Sequence, residues 1–328
     1  MSRRSAVRCW AAIGLLVMGC GGETDQRVTL SFVGDVLLET KLGEGALPGF
    51  DRFAPSAALL EADFSIANLE CPVATGGVAV EKVYTFRASP STLPRLREHF
   101  DAVSVANNHS GDYGLSAFLE TLTRLDAAGI GYFGGGRNST AAHTPLLLKK
   151  RGVTIALLGY DDFQPRSFEA TPEQAGVAWA EEEQMVLDVT RARAAGADVI
   201  LPFLHWGWEN EPAACARQRD LAHALIDAGA SAVIGAHPHV TQGAEMYRGK
   251  PIVYSLGNFA FDLLDVPENA LGWRLRLVVD RRGVESFSTA AVQIDDAGTP
   301  FPLPSANTPC GVRGANAVSP CAARAPAR

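Results

Sequence analysis

The chain has 328 residues, of which 47% are hydrophobic and 20% are charged. These values are ordinary for a globular protein with a substantial core, and the length fits one large domain or two smaller ones. The formal net charge is -7. This balance argues against a nucleic-acid partner, because such a partner is held mainly by Lys and Arg.

The first twenty residues predict an export segment. Three arginines precede a short apolar run, residues 9–18, which ends at Gly19 and Cys20. The run is too short to span a bilayer, which takes about 20 apolar residues, and its layout is that of a secretory signal. The ending Val-Met-Gly-Cys resembles a lipoprotein cleavage box with Cys20 as the lipidated residue, whereas an ordinary signal peptide cut nearby is the alternative. We predict a signal peptide at 1–20, a polar tether at 21–27, and an exported protein that is lipid-anchored to the bacterial cell envelope.

Seven short apolar runs predict buried strands. Each is rich in small apolar or β-branched residues and is closed by a loop signal. In chain order they are residues 28–33, 63–68, 100–106, 153–159, 198–204, 231–235 and 251–255.

Helical patterns lie between these runs and predict an α/β fold. Apolar residues recur at helical spacing in 115–128, 181–195 and 213–228, and a glycine follows each segment. Strands that alternate with helices are typical of α/β proteins. Residues 275–279 and 284–294 predict a closing hairpin. We therefore place one domain at 28–294 and a loosely ordered Pro/Ala-rich tail at 295–328.

Four cysteines follow the export segment, namely Cys71, Cys215, Cys310 and Cys321. An oxidising compartment would allow three pairings among them. Pairing of Cys310 with Cys321 would staple the tail, and pairing of Cys71 with Cys215 would join two segments near the proposed site. The sequence leaves the choice open.

Candidate metal ligands follow the predicted strands. Residues that follow strands of an open α/β sheet converge on the crevice beyond the strand ends. His237 and His239 are one residue apart, which puts both imidazoles on one side of an extended segment. Taken singly, each residue also fits a cap, a turn or core packing, so the prediction rests on the set. Carboxylates, an amide and imidazoles suit Zn, Mn or Fe, and one shared carboxylate suits two metals. The set is Asp35, Glu70, Asn108, His205, His237 and His239.

Three other histidines, His99, His143 and His223, have no polar partner close in sequence. We assign them to packing or to the surface.

Six motifs occur in order along the chain. They are Gly34-Asp35-Val36, Asn68-Leu69-Glu70, Ala106-Asn107-Asn108-His109 with Asp112-Tyr113-Gly114, His205-Trp206-Gly207, Gly235-Ala236-His237-Pro238-His239-Val240 and Tyr254-Ser255-Leu256-Gly257-Asn258-Phe259. On these motifs the chain resembles the CapA family, named for capsule and poly-γ-glutamate biosynthesis, within the calcineurin-like metallophosphoesterase superfamily. The resemblance runs from about residue 28 to about residue 262.

The resemblance implies a fold and a role for each ligand. It implies a four-layer α/β/β/α sandwich of the metallo-dependent phosphatase type. Asp35 and His239 would bind metal one, Glu70 would bridge, and the remaining ligands would bind metal two. The neighbouring His109 would act as an acid or stabilise charge. Two departures are visible: Leu37 stands where the superfamily has a histidine, and Glu70 replaces the usual bridging aspartate. They imply that metal one is bound more weakly or takes its missing ligand from elsewhere.

Further residues near the motifs are candidates for contact with a substrate. Arg87 could grip a carboxylate or phosphate with its planar fork, or could be a surface arginine. Asn107 and Glu209 are also assigned to substrate binding, and Asn258 to holding a loop under the site. The aromatic rings of Trp206 and Trp208 could wall the cleft or belong to the core.

Two functions follow from the resemblance. The first is a hydrolase or transferase that uses one or two divalent ions and acts on an anionic cell-surface polymer, such as poly-γ-glutamate, or on a phosphate ester. The second is a non-catalytic accessory subunit that binds the anionic polymer within a complex of membrane synthase and export proteins.

Overall fold

The structure is a computed structural model that describes residues 26–38, 51–304 and 307–321. The predicted signal peptide with Cys20 lies outside the described residues, as do most of the predicted tether and the last seven residues of the predicted tail. Within the described ranges, no helix combines the length and the apolar character needed to cross a membrane.

Strands make up most of the regular structure. They are β1 (Val28–Val36), β2 (Phe64–Leu69), β3 (Ala102–Ser104), β4 (Gly131–Phe133), β5 (Gly135–Gly136), β6 (Leu146–Lys150), β7 (Val153–Asp161), β8 (Gly176–Val177), β9 (Val199–His205), β10 (Val233–Ala236), β11 (Thr241–Tyr247), β12 (Lys250–Leu256), β13 (Asn258–Ala260), β14 (Leu271–Asp280), β15 (Gly283–Ile294), β16 (Pro300–Pro302), β17 (Pro309–Val312) and β18 (Ser319–Pro320). The α-helices are α1 (Ala57–Leu60), α2 (Leu93–His99), α3 (Gly114–Ala128), α4 (Ser139–Ala142), α5 (Glu182–Ala194) and α6 (Ala216–Ala228).

The strands form two large sheets and one small pair. The first sheet has the order β18-β17-β15-β14-β1-β2-β3-β4, with β13 beside β1 and β16 beside β15. The second has the order β11-β12-β10-β9-β7-β6, and β5 pairs with β8. Strands β1 to β4 run parallel, as do β7, β9, β10 and β12. The seven predicted strands, the three predicted helices and the antiparallel hairpin β14–β15 are thereby confirmed.

Three apolar clusters separate four layers. One lies between α1 to α3 and the first sheet, one between the two sheets, and one between the second sheet and α5 and α6. In β7, Ile155 and Leu157 face the first sheet, whereas Ala156 and Leu158 face the helices. A strand that is buried on both faces reads as a continuous apolar run, which is why the sequence revealed it. The four-layer α/β/β/α sandwich is confirmed.

The predicted loosely ordered tail is wrong for most of its described residues. Strand β16 pairs with β15, and β17 joins β15 to β18 at the edge of the first sheet. The hydroxyl of Thr289 donates to the carbonyl oxygen of Pro309, and that of Thr308 donates to the carbonyl oxygen of Thr289. Proline is tolerated at the edge of a sheet, where its missing backbone N–H leaves no hydrogen bond of a neighbouring strand unmade. A Pro-rich composition therefore does not exclude strands there, and the prediction of a loosely ordered tail from composition was wrong.

One disulfide closes this edge. The structure joins Cys310 to Cys321, so one of the two open pairings is present. Cys71 and Cys215 are thiols.

Candidate metal centre

The six predicted ligands lie together at one edge of the sandwich. Each large sheet contributes three of them, all at or just after the ends of parallel strands. Because these strands end at the same edge, residues far apart in sequence meet there. The first sheet supplies Asp35, Glu70 and Asn108 from β1, β2 and β3, and the second supplies His205, His237 and His239 from β9 and β10.

A β-bulge places the first ligand. Between Phe32 and Asp35, β1 holds one residue more than β2, and the shifted register sets Asp35 opposite Asn68. Such bulges re-aim side chains next to functional sites. The bulge is possible because residue 34 is glycine: a Cβ there would lie 1.8 Å from the carbonyl oxygen of Gly257.

Backbone strain marks the histidine loop. His237 and His239 have φ angles of 96° and 57°, in the left-handed region that non-glycine residues rarely adopt. The backbone N–H of His237 donates to Asp35 Oδ2 at 3.2 Å, and His239 Nδ1 lies 2.9 Å from Asn258 Oδ1. Strain of this kind persists where the surroundings hold it, and it clusters at functional sites.

The side chains of Asn108, His237 and His239 lie close to those of His205 and Glu70. His205 Nε2 lies 2.8 Å from Asn108 Oδ1 and 3.0 Å from His237 Nδ1. Glu70 Oε1 is 3.7 Å from the Nε2 atoms of both His205 and His239. These contacts bring five of the ligands into one small volume.

Two buried side-chain atoms of the centre have no hydrogen-bond partner among the described residues. They are Glu70 Oε1 and His237 Nε2. Leaving such atoms without a partner is costly, so each needs an explanation. Two ligand sets, Glu70 with His237 and His239 and Asp35 with Glu70 and His205, have donor atoms within 4.8 Å of one another. Both sets are compatible with a metal ion, and both contain Glu70. One set groups Asp35 with His205, and His239 Nδ1 also lies 3.3 Å from Asp35 Oδ2, the pairing that the resemblance implies.

The electrostatics of the centre match a cation site. Burial, and next the charge of Asp35, raise the pKa of Glu70 well above its ordinary value. Burial lowers the pKa values of His205 and His237 well below the ordinary value, which favours neutral imidazoles. Burial also acts to lower the pKa of His239, but the hydrogen bond and charge of Asp35 outweigh it and raise that pKa. Neutral imidazoles and a carboxylate are ligands, and a bound cation would offset the cost of the buried negative charge.

Asn68 connects the ligands and was missed as a site residue. Its Nδ2 lies 2.8 Å from Asp35 Oδ1, 3.2 Å from His205 Nδ1 and 3.5 Å from Glu70 Oε2. Its Oδ1 accepts from Asn107 Nδ2 at 3.0 Å. The signal was its position two residues before Glu70 at a strand end, because such residues face the same side.

The predicted catalytic His109 is held by a buried carboxylate. His109 Nδ1 lies 2.8 Å from Asp112 Oδ2, which also accepts from the backbone N–H of Phe86. Lys82 forms an ion pair with the other oxygen of Asp112 and donates to the backbone carbonyl of Asn108 at 3.0 Å. Burial lowers the pKa of His109, although the hydrogen bond and charge of Asp112 oppose this. Because Nδ1 is engaged, Nε2 remains for proton transfer.

A cleft of about 660 Å³ opens beside the centre. Asp161, the last residue of β7, was missed in the sequence, and burial raises its pKa to about 8. The predicted substrate residue Glu209 also lies in this cleft. The polar and aromatic lining includes Lys82, Tyr84, Asn108, His109, Asp161, Phe163 and Glu209.

Comparison with known proteins places the chain in a family. The model of the family described as "Bacterial capsule synthesis protein PGA_cap" matches residues 29–263, most of the chain. The chain belongs to this family. The resemblance to CapA proteins read from the motifs is thereby confirmed.

Members of the capsule synthesis family and one solved structure show how far the similarity extends. The PGA biosynthesis protein CapA of Bacillus subtilis (strain 168) is 30% identical over 291 residues, covering 85% of this chain and 75% of that protein. The capsule biosynthesis protein CapA of Bacillus anthracis is 30% identical over 251 residues, covering 73% of this chain but only 61% of that protein. A hypothetical protein from Thermus thermophilus shares the fold, with a TM-score of 0.51, 18% identity, and coverage of 81% of this chain and 99% of that one.

One position in this family member contributes nothing to the centre. Leu37, two residues after Asp35, stands where the superfamily resemblance implies a histidine. It is 2% exposed and packs in the apolar cluster with Phe53 and Phe259. The residues present therefore offer one ligand fewer near Asp35 than the superfamily pattern has.

Asn107 does not contact the cleft, contrary to its predicted substrate role. Its side chain is fully buried. Its Nδ2 donates to the carbonyl oxygen of Leu69, and its Oδ1 accepts from the backbone N–H of His109. The amide thus holds the loop after β3 in place.

Arg87 is not among the residues that line the cleft. Its guanidinium lies 4.3 Å above the ring centre of Tyr113, and its Nη1 donates to the carbonyl oxygen of Gly76. This placement favours the surface alternative for Arg87.

The two tryptophans have different environments. Trp206 is fully buried and donates from Nε1 to the carbonyl oxygen of Tyr254, so it belongs to the core. Trp208 is 63% exposed. Asn258 contacts His239, the position expected of a residue that supports the site.

The three other histidines lie away from the six ligands. Each pairs with a carboxylate that is remote in sequence, a partner that the sequence did not predict. The pairs are His99 with Asp51, His143 with Asp188, and His223 with Glu245.

Proposed function

We propose that this protein binds one or two divalent ions, Mn, Zn or Fe, and uses them to hydrolyse or transfer an acyl or phosphoryl group. One observation carries the proposal: Glu70 Oε1 is buried, has no hydrogen-bond partner among the described residues, and lies 3.7 Å from two imidazole nitrogens. A carboxylate oxygen between two imidazoles is completed by a cation. The mixed nitrogen and oxygen donors fit all three metals.

Each group of site residues would have its own role in this reaction. The six ligands would hold the ions, with Glu70 shared between them. A bound ion supplies Lewis-acid chemistry, because it polarises a carbonyl or phosphoryl oxygen. His109, whose Nδ1 is held by Asp112, would accept a proton at Nε2 from the attacking nucleophile and pass that proton on to the leaving group. The ammonium of Lys82 lines the cleft and would attract an anionic substrate.

The proposed substrate is an anionic cell-surface polymer or a phosphate ester. The Bacillus subtilis relative is named for PGA biosynthesis and the Bacillus anthracis relative for capsule biosynthesis, which supports the polymer. Membrane synthase and export proteins are the partners that such a role would require.

We also propose export and a lipid anchor at Cys20. The support is the arginine-rich start, the short apolar run and the Val-Met-Gly-Cys ending. Metabolic labelling with a fatty acid should mark the wild-type protein but not Cys20→Ala. An unlabelled wild-type protein would overturn the anchor without touching the metal proposal.

Metal analysis tests the central proposal. Purified full-length protein should hold one or two of these ions per chain after incubation with Mn, Zn or Fe, and should turn over poly-γ-glutamate or an aryl phosphate. His237→Ala should lose the metal and the turnover. His223→Ala is the matched control, because its imidazole pairs with Glu245 elsewhere. A wild-type protein that binds none of the three ions would contradict the proposal.

The second candidate is a non-catalytic accessory subunit that binds the anionic polymer. The observation that favours it is Leu37, whose packing in the core leaves the position near Asp35 without a histidine. A folded His237→Ala variant that keeps full polymer production in cells would favour this function over catalysis.

A further inference from the structure

A second polar surface lies at the opposite ends of the parallel strands. It surrounds a cavity of about 350 Å³ near the starts of β10, β12 and β15. In a chain with a net charge of -7, the ionisable residues that line this cavity are all cationic. We call these five residues the basic end: Arg193, Arg248, Lys250, Arg282 and Arg313.

Among the described residues, two members of the basic end donate to backbone carbonyl oxygens and to no carboxylate. Arg193 donates to the carbonyl oxygens of Ala197 and Gly229, at 2.8 and 3.0 Å. Lys250 Nζ donates to the carbonyl oxygen of Ala230 at 2.7 Å. Burial and the nearby charge of Arg193 lower the pKa of Lys250. Crowded cations of this kind would be relieved by a bound anion.

The other three members of the basic end pair with two carboxylates between them. Arg248 pairs with Asp227, and Arg282 and Arg313 both pair with Asp280. The side chains of Arg248 and Arg282 nevertheless remain 65% and 79% exposed. An exposed guanidinium that already has one partner still has donors for a phosphate.

The chain enters the fold at this same end. Val28, the first residue of β1, pairs with Val279, next to Asp280. Arg27 Nε lies 2.6 Å from Glu285 of β15. Seven residues, 21–27, separate β1 from the proposed lipid anchor at Cys20. Seven extended residues reach at most about 25 Å. An anchored protein would therefore keep the basic end close to the bilayer.

We propose that the basic end docks on the phosphate groups of anionic phospholipids in the membrane that carries the anchor. The proposal rests on the lipid anchor of the proposed function for the direction in which the molecule faces. Charges act over about 8–10 Å at physiological salt, which fits guanidinium groups held at the bilayer surface. Asp35 lies seven residues along β1 from Val28, about 23 Å at the usual strand rise, so the metal centre would open away from the membrane.

An anionic polymer is the competing occupant of the same cations. The position of Arg27 favours the membrane, because the chain itself brings this surface to the bilayer. The polymer would instead reach the cleft at the far end of the strands.

Flotation with vesicles tests the docking. Full-length protein is mixed with vesicles of phosphatidylcholine alone or of phosphatidylcholine with phosphatidylglycerol, at low and high salt. Cys20→Ala in the full chain removes the lipid anchor, and every variant is compared within this background, so that the first twenty residues contribute equally to all of them. Within it, Arg248→Glu with Arg282→Glu reverses the basic end. The matched control is Arg95→Glu with Arg97→Glu on α2, where the two side chains are 45% and 47% exposed.

We expect Cys20→Ala to float with phosphatidylglycerol vesicles at low salt. Reversal of the basic end should weaken this binding by about tenfold or more, and the control pair should change it less than threefold, given the usual attraction per cation. Equal binding of the two pairs, or no preference for phosphatidylglycerol, would overturn the proposal. The proposal would also be overturned if soluble poly-γ-glutamate fully displaced the protein from the vesicles by binding to the basic end. If only the lipid anchor were absent, the wild-type protein would fail to float with vesicles of phosphatidylcholine alone, while its charge-dependent binding to phosphatidylglycerol would remain.

Discussion

The two ends of the parallel strands carry opposite kinds of polar surface. At the carboxyl ends Asp35, Glu70 and His237 are fully buried, and two of their donor atoms lack partners among the described residues. At the amino ends Arg248 and Arg282 are mostly exposed and already paired. A buried set with fixed geometry can select a small ion, whereas exposed cations respond to a large charged surface. Burial therefore distinguishes a candidate metal centre from a candidate docking surface within one sheet framework.

The largest expected effect comes from removing the shared carboxylate. Glu70→Gln keeps the volume but removes the charge that both ligand sets use. We expect metal affinity to fall more than about 100-fold, beyond the 10–100-fold typical of residues that only support a ligand. In chelator, thermal unfolding of this variant should occur at a higher temperature than that of wild type, since a costly buried carboxyl is gone.

Isothermal titration with Mn and Zn measures the affinity of Glu70→Gln. Wild-type affinity in this variant would mean that the buried polar residues at the carboxyl ends of the strands do not bind metal. The contrast between a metal centre at one end of the strands and a docking surface at the other would then fail.

A smaller loss should follow when the connecting amide is removed. Asn68→Ala leaves all six ligands but removes the bonds from Nδ2 to Asp35 and toward His205. We expect metal affinity to fall about 10–100-fold, because supporting residues orient ligands without binding the ion. Thr123→Ala, on the exposed face of α3, is the control. An Asn68→Ala affinity within threefold of wild type would contradict the role of this amide.

The disulfide should matter for the edge of the first sheet and not for the centre. Cys310→Ser with Cys321→Ser opens a short loop, and we expect the free energy of unfolding to fall by at most about 3 kcal/mol. Metal content should not change, because β17 and β18 lie across the sheet from β2 and β3. Loss of metal in this variant would show that the two regions are coupled.

The smallest expected effect is a pH-dependent one at the basic end. Burial raises the pKa of Asp280, but hydrogen bonds from Arg313 and Arg282 outweigh it and lower that pKa from 3.8 to about 2. The folded state thus holds the ionised form more strongly than the unfolded state does. The resulting stability is present above pH 4 or so and is lost as the pH falls toward about 2.

Asp280→Asn should lower the free energy of unfolding by roughly 1 kcal/mol at pH 7, since solvent screens the exposed arginines, and by almost nothing near pH 2. Urea unfolding at both pH values measures this. Asp296→Asn, on an exposed turn, is the control. A deficit that persists undiminished at low pH would mean that the ion pairs are not its source.

Several errors in the sequence interpretation share a cause. Asn107 and Arg87 lie within or near the motifs, so proximity suggested substrate contact, but Asn107 donates to the carbonyl oxygen of Leu69 and Arg87 to that of Gly76. Asp161 ends a strand, as several of the predicted ligands do, but no motif surrounds it. The tail was misread because pairing with β15 cannot be inferred from a Pro-rich composition.

The sequence by itself determined the seven central strands, the three main helices, the family and the convergence of the six predicted ligands. It could do so because strands buried on both faces read as unbroken apolar runs, and because parallel strands deliver their last residues to one edge. Only the tertiary structure decided that Asn68 links Asp35 to His205, that Leu37 points into the core, and that five cations meet around one cavity. Those facts depend on a bulge, on burial and on contacts between distant segments, which the order of residues alone does not specify.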